Sequence, residues 1–520
     1  MRKILRGMLP VAAALCLVPA AVRAAGLKEL EAALAEMRNA RRLTAVKRSS
    51  DAAFLRRAYL TLVGRPPTPD DVRAFLRNNS PRKRAEIVDM LLESPDFATL
   101  MAMRYCQIYR VKSEFPINMW PNAVQLFHTY LRDAAARDLP YDVMVRGMLT
   151  KSGSTFRVPQ VNFLRGHADR TPKGVASGVA LALMGIRLDK LDEKTADGMA
   201  AFFSALSRKD TDEWKEEIVF TSPEEKRLVG RTPDGKEFTI DSPKTDPRTV
   251  FADYLCAPDN PYFARAFANR VWCWVFGRGL VDPADDLTGE PARSLFEKVY
   301  PVRTNPALDA LAAAFRDGGY RVKKLFRIIC NSSAFNADWR TLPGEQTAAE
   351  ECFAVYPVHR MEPELIVDAL ARVTGVSDRY RSVIPEPFTF LPPGTPATAI
   401  ADGSISSVTL DNFGRSPRDS GQLAEVKNYV TVSQRQWLMN SNVLYGRLAN
   451  RNRDMANRFR RDPQARLNEL YLSVLSRFPT QAERNMIFSR LRNAGKRGGN
   501  RIWLDALWSL VNSGEFLYHH

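Results

Sequence analysis

Histidine is scarce in this chain of 520 residues, and its scarcity removes several common catalytic designs. The five histidines, His128, His167, His359, His519 and His520, are isolated or terminal, and none forms the H-E-x-x-H spacing of a helical zinc site. The sequence also has no G-x-S-x-G nucleophile turn, no phosphate-binding loop and no dinucleotide fingerprint. The common nucleophile, metal and nucleotide chemistries therefore have no motif to support them.

Cysteine is also scarce, with six residues in total. Cys16 lies in the N-terminal apolar stretch, and the other five are far apart and form no C-x-x-C pair. This pattern excludes zinc ribbons, thioredoxin-like motifs and c-type haem attachment. Two alternatives stay open for the five thiols: one or two disulfides in an oxidising compartment, or buried free thiols. These residues are Cys106, Cys256, Cys273, Cys330 and Cys352.

Long apolar runs are absent beyond the N-terminus. The best candidate, residues 175–186, is shorter than the stretch of about 18 apolar residues that a membrane helix needs. Residues 1–24 are typical of a signal peptide, with a basic start, an apolar stretch over residues 8–21 and small residues before a cleavage site. We therefore predict an exported protein, periplasmic or secreted, with no transmembrane span after cleavage. An uncleaved anchor is the alternative.

Acidic residues are in deficit, with 58 aspartates and glutamates against 75 lysines and arginines, a formal net charge of +17. Removing the four basic residues of the predicted signal peptide lowers this charge from +17 to +13. Such an excess favours anionic partners, such as acidic polysaccharide, lipid headgroups or nucleic acid. The basic residues are mostly interleaved with acidic ones, which is typical of a solvated surface, so nucleic acid is not favoured.

A short phrase occurs near both ends of the chain. FLRRAYLTLVGRPPTPDDVRAFL covers residues 54–76, and ELYLSVLSRFPTQAERNMIFSRL covers residues 469–491. Both predict an apolar helix, a turn and a second helix that begins with a capping box, a threonine followed three residues later by an acidic residue. Each copy continues into an apolar helix and a serine-containing turn that ends at Phe97 or Phe516, and a partial third copy ends at Phe335. We predict two three-helix units and one partial unit; a chance likeness between capped helices is the alternative.

The whole sequence predicts a mainly α, multi-helical fold with repeated helix-turn-helix units and a small β-hairpin between two helical regions. The hairpin is predicted from RLVGRTPDGKEFTI, which has the Asp234-Gly235 turn in its middle. After the signal peptide, the predicted regions are an amphipathic helix (25–45), an N-terminal helical domain (46–206), a charged hairpin connector (207–250) and a C-terminal helical domain (251–520) with an irregular segment (381–421).

The densest group of chemically useful residues lies in NPYFARAFANRVWCWVFGRGLVDPADDLTGEP, residues 260–291. An aromatic helix leads into an acidic turn, where Asp285 and Asp286 are candidate catalytic carboxylates and Arg278 is the cation that would tune one pKa. Neighbouring carboxylates can also bind a hard cation such as calcium. The structural alternative is that the aromatic residues are core and that Asp286 pairs with Arg278 or caps the next helix. Candidate ligand-binding residues on the helix are Asn269, Arg270 and Trp274.

A second candidate site is FGRSPRDSG, residues 413–421, inside the irregular segment. Arg415 and Arg418 are candidate ligand-binding residues there, because a guanidinium group can bind a carboxylate or sulfate through two parallel hydrogen bonds. An ordinary loop is the alternative.

Three stretches carry a family resemblance: residues 54–76, residues 260–286, and RMEPELIVDAL, residues 360–370. They resemble exported planctomycete and verrucomicrobial proteins that combine two domains of unknown function, numbered 1549 and 1553. The likeness covers most of residues 50–520. It implies an exported protein, often encoded near c-type cytochrome modules, sulfatases and a partner family of exported proteins, and it implies no established activity.

The sequence departs from the pattern of that family in one informative place. Many relatives carry a haem-like C-x-x-C-H after the helix that ends in GIRL, whereas Lys190, Glu193 and Lys194 occupy the corresponding positions of this chain. Covalent haem attachment needs the two thiols, and axial ligation needs the imidazole. No cofactor is therefore predicted.

Taken together, these features favour a non-catalytic binding or scaffold protein linked to envelope or polysaccharide processing. Its expected partner is another exported protein or an anionic surface glycan, and we expect an exposed apolar or aromatic patch as the interface. The alternative is a hydrolase that acts on an anionic or sulfated polysaccharide through the acidic turn.

Overall fold

The computed structural model describes residues 20–43, 47–222, 227–241, 244–290, 292–293, 298–340, 344–427 and 429–520. Most of the predicted signal peptide, residues 1–19, lies outside the described residues, as do residues 44 and 45 of the predicted amphipathic helix. The signal peptide therefore stays a prediction.

The described residues are mainly helical, as the sequence predicts. The helices before the strand-rich stretch are α1 (Ala20–Ala40), α2 (Asp51–Val63), α3 (Pro69–Arg77), α4 (Lys83–Leu92), α5 (Pro95–Ile108), α6 (Pro121–Ala136), α7 (Tyr141–Thr150), α8 (Asn162–Arg165), α9 (Pro172–Met184) and α10 (Glu193–Ala201). The helices after it are α11 (Pro247–Leu255), α12 (Phe263–Phe276), α13 (Pro306–Asp317), α14 (Val322–Asn331), α15 (Ser333–Asn336), α16 (Gln346–Glu351), α17 (Pro363–Thr374), α18 (Val408–Asn412), α19 (Val432–Asn440), α20 (Asn442–Arg458), α21 (Pro463–Leu475), α22 (Gln481–Asn493), α23 (Gly495–Val511) and α24 (Gly514–Leu517).

The strands are short, and every described pair is antiparallel. The predicted hairpin is confirmed: its two strands pair Val229 with Thr239, and Gly235 in the connecting turn has a positive φ of 85°. The strands are β1 (Gly153–Ser154), β2 (Leu206–Asp210) and β3 (Glu217–Thr221) in the order β1-β3-β2, the hairpin β4 (Arg227–Arg231) and β5 (Glu237–Asp241), and the pairs β6 (Ala292–Arg293) with β7 (Lys298–Val299) and β8 (His359–Arg360) with β9 (Tyr518–His519).

Both copies of the repeated phrase fold in the same way. Gly64 and Ser476, at equivalent positions, take the left-handed conformation that ends a helix, with φ of 71° and 60°. Thr68 and Thr480 then cap α3 and α22, and each closes a reciprocal capping box with the acidic residue three positions later. The repeated helix-turn-helix unit is therefore confirmed.

An ion pair closes each copy. Arg65 donates to Asp96 at 2.9 Å, and Arg477, at the equivalent position, donates to Glu515 at 2.6 Å. In each copy the acidic residue directly precedes the phenylalanine that ends the unit. The likeness thus includes a tertiary contact as well as the capped helices, which a chance similarity between capped helices does not explain.

The copies meet at α2, through two arginines that are fully buried. Arg56 donates to the carbonyl oxygens of Val474 at 2.9 Å and Phe516 at 2.8 Å, in the second copy. Arg57 donates to the carbonyl oxygen of Ala337 at 3.0 Å, two residues after the end of the partial third copy. Carbonyls near helix ends lack partners within the helix, so a buried guanidinium group can satisfy several of them at once. The repeats therefore form one packed assembly.

The largest core runs through both helical regions. It contains buried side chains of α2, α5, α6, α9 and α12–α14, on both sides of the hairpin. In this core Phe267 of α12 stacks on Tyr141 of α7, with 4.0 Å between ring centroids, and lies 5.2 Å from Phe315 of α13. A second core lies beneath α17, α20, α21 and α23. The helices on the two sides of residues 207–250 thus share apolar packing.

All five cysteines in the described part of the chain are free thiols. Of the two alternatives that the sequence leaves open, the structure therefore contains the free thiols. Burial raises the pKa of Cys106, Cys256 and Cys273 to about 12, so these thiols stay protonated near neutral pH.

A buried histidine gives the fold a dependence on pH. His128 of α6 is 6% exposed, and burial, followed by the charges of Arg418 and Arg132, lowers its pKa to about 4 from an ordinary 6.5. Because the folded-state pKa lies below the unfolded-state pKa, the unfolded chain binds the proton first as the pH falls. The stability that the neutral ring provides is therefore present above about pH 6.5 and is lost as the pH falls toward about 4.

We expect His128→Gln to remove this component. Between pH 7 and pH 4.5 the free energy of unfolding of the wild type should fall by about 2.5 kcal/mol more than that of the variant. Urea unfolding of both proteins across this range measures the difference. Parallel pH profiles would contradict the assignment.

Candidate functional site

The aromatic helix α12 places the predicted site residues in the interior. Its sequence, FARAFANRVWCWVF, is apolar on almost every side, so the helix is buried all round, including Asn269 and Arg270. It ends at Gly277, whose φ is 73°. A Cβ at this position would lie 2.5 Å from Cγ of His359, so the close approach of these two residues requires glycine.

Asn269 fixes the loop that follows α12. Its Nδ2 donates to the carbonyl oxygen of Val281 at 2.7 Å, and its Oδ1 accepts from the amide nitrogen of Val281 at 3.0 Å. The side chain thus satisfies both backbone groups of one residue and folds the loop back along the helix. At Gly279, between them, a Cβ would lie 2.3 Å from the Val281 oxygen.

Arg270 is fully buried and connects three segments. It donates to the carbonyl oxygens of Ala182 at 2.7 Å and Leu181 at 3.1 Å, both in the last turn of α9. It also donates to Oδ1 of Asp285 at 2.9 Å, and Oδ2 of Asp285 accepts from the amide nitrogen of Leu423 at 2.5 Å. Both carboxylate oxygens of Asp285 therefore have partners within the chain, and the pair joins α9, α12 and the loop at residue 423.

Asp286 has a different partner. It pairs with Lys190, and its Oδ1 accepts from the amide nitrogen of Thr288 at 3.4 Å. Arg278 is only partly buried and forms no ion pair within the described residues, so the expected pairing of Asp286 with Arg278 is wrong. The two aspartates are adjacent in sequence, but each forms an ion pair with a different cation. The catalytic roles of Asp285, Asp286 and Arg278 stay predictions.

Trp274 lies in the core, as the structural alternative predicts. It is 7% exposed, and the guanidinium of Arg104 lies 5.1 Å from its ring centroid. Arg104 is also buried and pairs with Glu362 at 3.5 Å. A cation over an aromatic face is attracted by the ring quadrupole, so this contact contributes to packing between α5 and α12.

The two arginines of the irregular segment are buried and bind the chain itself. Arg418 donates to the carbonyl oxygen of Ala401 at 2.6 Å. Arg415 donates to the carbonyl oxygen of Ile405 and pairs with Glu364 at 3.2 Å. Their side chains thus organise a segment that has little regular secondary structure. Anion binding by Arg415 and Arg418 stays a prediction.

The position of the haem-like motif carries charged side chains that do not fit haem attachment. Lys190 pairs with Asp286, and Lys194 lies 3.6 Å from Glu237. Glu193 is the first residue of α10. Neither a thiol nor an imidazole occupies these positions, and in the described ranges no group of histidine, cysteine, aspartate and glutamate side chains is arranged to bind a metal.

The structure also contains features that the sequence analysis missed. A pocket of about 760 Å³ lies where the copies meet, with Trp339, Phe478 and Tyr518 in its wall. A second pocket, of about 480 Å³, lies between α20, α21 and α23. A sequence signal for the second was present: residues 427–461 contain eight lysines and arginines and one acidic residue.

Exposed apolar side chains are concentrated along α19 and the start of α20, and we call this stretch, residues 429–445, the α19–α20 corner. Nineteen large apolar side chains are exposed among the described residues, and six of them lie within residues 429–445. They are Tyr429, Val430, Val432, Met439, Val443 and Tyr445.

Comparison with known protein families gives two matches, one on each side of the hairpin. Residues 29–204 match the family described as PSCyt2, a protein of unknown function (DUF1549), and residues 247–491 match the family described as PSD1, a protein of unknown function (DUF1553). The chain therefore belongs to the proteins that combine these two domains, as the resemblance implied. No curated protein and no solved structure matched the sequence. None of the described helices has both the length and the apolar character that crossing a membrane requires.

Arg270 can be tested against a matched arginine. We expect Arg270→Met to lower the free energy of unfolding by about 3 to 5 kcal/mol, because it leaves the buried carboxylate of Asp285 without its cation. Arg278→Met, a change of the same size eight residues later, should alter stability by less than about 0.5 kcal/mol because Arg278 forms no ion pair with any described residue. Urea unfolding measures both.

If Arg270→Met does not fold, Asp285→Asn provides a milder test. It keeps two polar atoms but removes the charge, and we expect a loss of about 1 to 3 kcal/mol. Similar stabilities for the variants of Arg270, Asp285 and Arg278 would contradict the structural role of the pair.

Proposed function

We propose that the protein is an exported, non-catalytic binding protein that acts as a scaffold by docking an acidic partner protein on its α19–α20 corner. The observation that carries this proposal is the concentration of exposed apolar side chains there. The resemblance to exported proteins encoded near sulfatases supports a role in envelope or polysaccharide processing.

The apolar character of the corner is unusual for a solvated surface. Val432, Val443 and Tyr429 are 72%, 61% and 60% exposed. Val432 and Met439 are seven residues apart, which is about two helical turns, so they lie on the same face of α19. Single exposed apolar residues are normal, whereas a group of them is typical of an interaction site.

Charge around the corner indicates the kind of partner. The corner lies in the basic stretch 427–461, in which Asp454 is the one acidic residue. Within the corner and its flanks, Lys427 and Arg435 are exposed cations and Arg447 pairs with Asp378 at 3.0 Å. Two copies of this chain that met there would bring like charges together, which electrostatic repulsion opposes. An acidic protein with an apolar centre complements both the charge and the apolar side chains.

The contacts of the acidic turn support binding over hydrolysis. Glycoside hydrolysis by two carboxylates needs both groups to face the sugar from opposite sides of the scissile bond. Asp285 instead has both oxygens engaged by Arg270 and Leu423, and Asp286 pairs with Lys190. These contacts assign both carboxylates a structural role, which does not require a substrate.

Affinity capture from native periplasm tests the proposal. The tagged mature chain is compared with Val432→Asp/Val443→Asp and with the control Met90→Asp/Met486→Asp, whose exposed residues lie outside the corner. We expect one acidic protein to be recovered in stoichiometric amount with the wild type and the control. The corner variant should recover at least about tenfold less, because two apolar contacts are replaced by charges that repel an acidic surface.

Three outcomes of this capture would contradict the proposal. The corner variant could recover the partner as well as the wild type does, which would place the interface elsewhere. The corner-dependent material could be a glycan instead of a protein. The wild type could recover no partner even after chemical cross-linking in the periplasm.

A further inference from the structure

The pocket of about 480 Å³ between α20, α21 and α23, here called the basic pocket, has an unusual composition. Three arginines and two asparagines line it, and none of the described residues in its lining is acidic. It lies at the C-terminal end of α20, whereas the α19–α20 corner includes the N-terminal end of that helix. The polar lining residues are Arg453, Asn457, Arg460, Arg466 and Asn500.

Arg466 is the central residue of this pocket because it is a buried cation without a carboxylate partner. It is 8% exposed, and its Nη2 donates to the carbonyl oxygen and the side-chain oxygen of Asn452 at 3.1 and 2.6 Å. Its guanidinium lies 4.6 Å from the ring centroid of Trp503, and its Nε has no hydrogen-bond partner among the described residues. Every contact of Arg466 is thus neutral.

Burial of this guanidinium costs free energy that no anion offsets. Burial alone lowers the pKa of Arg466 to about 10. The nearest acidic residues along α21 have other partners: Asp462 accepts from the amide nitrogen of Ala465 at 2.8 Å, and Glu469 pairs with Arg73 at 2.6 Å. An anion that reaches a buried cation offsets part of this cost, and the basic pocket gives an anion access to Arg466.

The remaining lining fits a polar molecule that carries this anion. Arg453 and Arg460 are exposed and form no ion pair with any residue of the described ranges. Asn457 and Asn500 add amide groups, which can donate to and accept from hydroxyl groups. A volume of about 480 Å³ is larger than a single oxyanion needs and lies in the range of small-molecule sites.

We propose that the basic pocket binds the oxyanion group of a sugar acid or sugar ester, that is, a carboxylate, sulfate or phosphate. Arg466 supplies the buried charge, Arg453 and Arg460 bind the anion from the solvent side, and the two asparagines bind ring hydroxyls. The proposal does not depend on the partner protein, because the pocket shares no residue with the α19–α20 corner.

Isothermal titration of the purified full chain tests this site. The probes are glucuronate, inorganic sulfate and inorganic phosphate, with glucose as the neutral control. We expect glucuronate to bind and glucose not to bind. The variant Arg453→Ser/Arg460→Ser should weaken glucuronate binding at least about tenfold, because two charge-assisted contacts are removed. Arg82→Ser/Arg492→Ser removes the same charge from exposed positions elsewhere and should bind like the wild type.

Arg466→Gln provides the central test, because it keeps an amide donor near Asn452 but removes the buried charge. We expect glucuronate binding to be lost, with the thermal unfolding temperature unchanged or raised because the uncompensated charge is gone. If this variant does not fold, the effect of Arg453→Ser/Arg460→Ser on glucuronate binding tests the proposal instead.

The probes also distinguish the sources of the anion. Tighter binding of sulfate and phosphate than of glucuronate would assign the pocket to an ester group, and tighter binding of glucuronate would assign it to a sugar carboxylate; both support an oxyanion site. Absence of anion binding by the wild type at millimolar concentrations would overturn the proposal. Equal weakening in the Arg82→Ser/Arg492→Ser control would also overturn it, because binding would then reflect net charge alone.

Discussion

The buried ion pair between Arg270 and Asp285 is the interaction on which the arrangement of the two family regions depends. Removing a guanidinium and a carboxylate from water costs several kcal/mol for each ion unless the groups satisfy one another and find further hydrogen bonds. Here Arg270 also donates to two carbonyls at the end of α9, and the second oxygen of Asp285 accepts from the amide of Leu423. One pair thus connects the DUF1549 region with two separate parts of the DUF1553 region. The shared core is consistent with this connection.

The same solution recurs elsewhere in the chain. Arg56, Arg57 and Arg418 are also buried, and each donates to backbone carbonyls contributed by distant segments. Arginine suits this role because its five donors lie in a fixed plane and its charge is retained on burial. Part of the positive charge of the sequence therefore lies in the interior and has a structural role. From the sequence alone, the whole basic excess is interpreted as a solvated surface. Arg466 likewise donates to a backbone carbonyl, but it also lines the basic pocket, in which none of the described lining residues is acidic.

Local features of the fold could be predicted from the sequence, whereas the contacts of the candidate site could not. The capping boxes at Thr68 and Thr480 and the Asp234-Gly235 hairpin depend on residues a few positions apart, so sequence patterns specify them. The partner of Asp286 is Lys190, nearly a hundred positions away, and no local pattern distinguishes it from the nearby Arg278. The apolar side chains of the α19–α20 corner are exposed because no other segment packs over them among the described residues. Tertiary packing determines this exposure, so a local sequence pattern does not predict it. The basic excess over residues 427–461 is a sequence signal for the basic pocket at the C-terminal end of α20, but not for the apolar corner.

Arg270 and Asp285 stabilise the protein as a pair, and a double-mutant cycle measures the coupling between them most directly. The cycle compares the free energies of unfolding of the wild type, Arg270→Met, Asp285→Leu and the double variant. We expect a coupling energy of about 2 to 3 kcal/mol, so that the double variant loses clearly less stability than the two single changes together, because removing both charges leaves neither one buried alone. Additive losses, with a coupling energy below about 0.5 kcal/mol, would contradict the claim that this pair joins the two family regions.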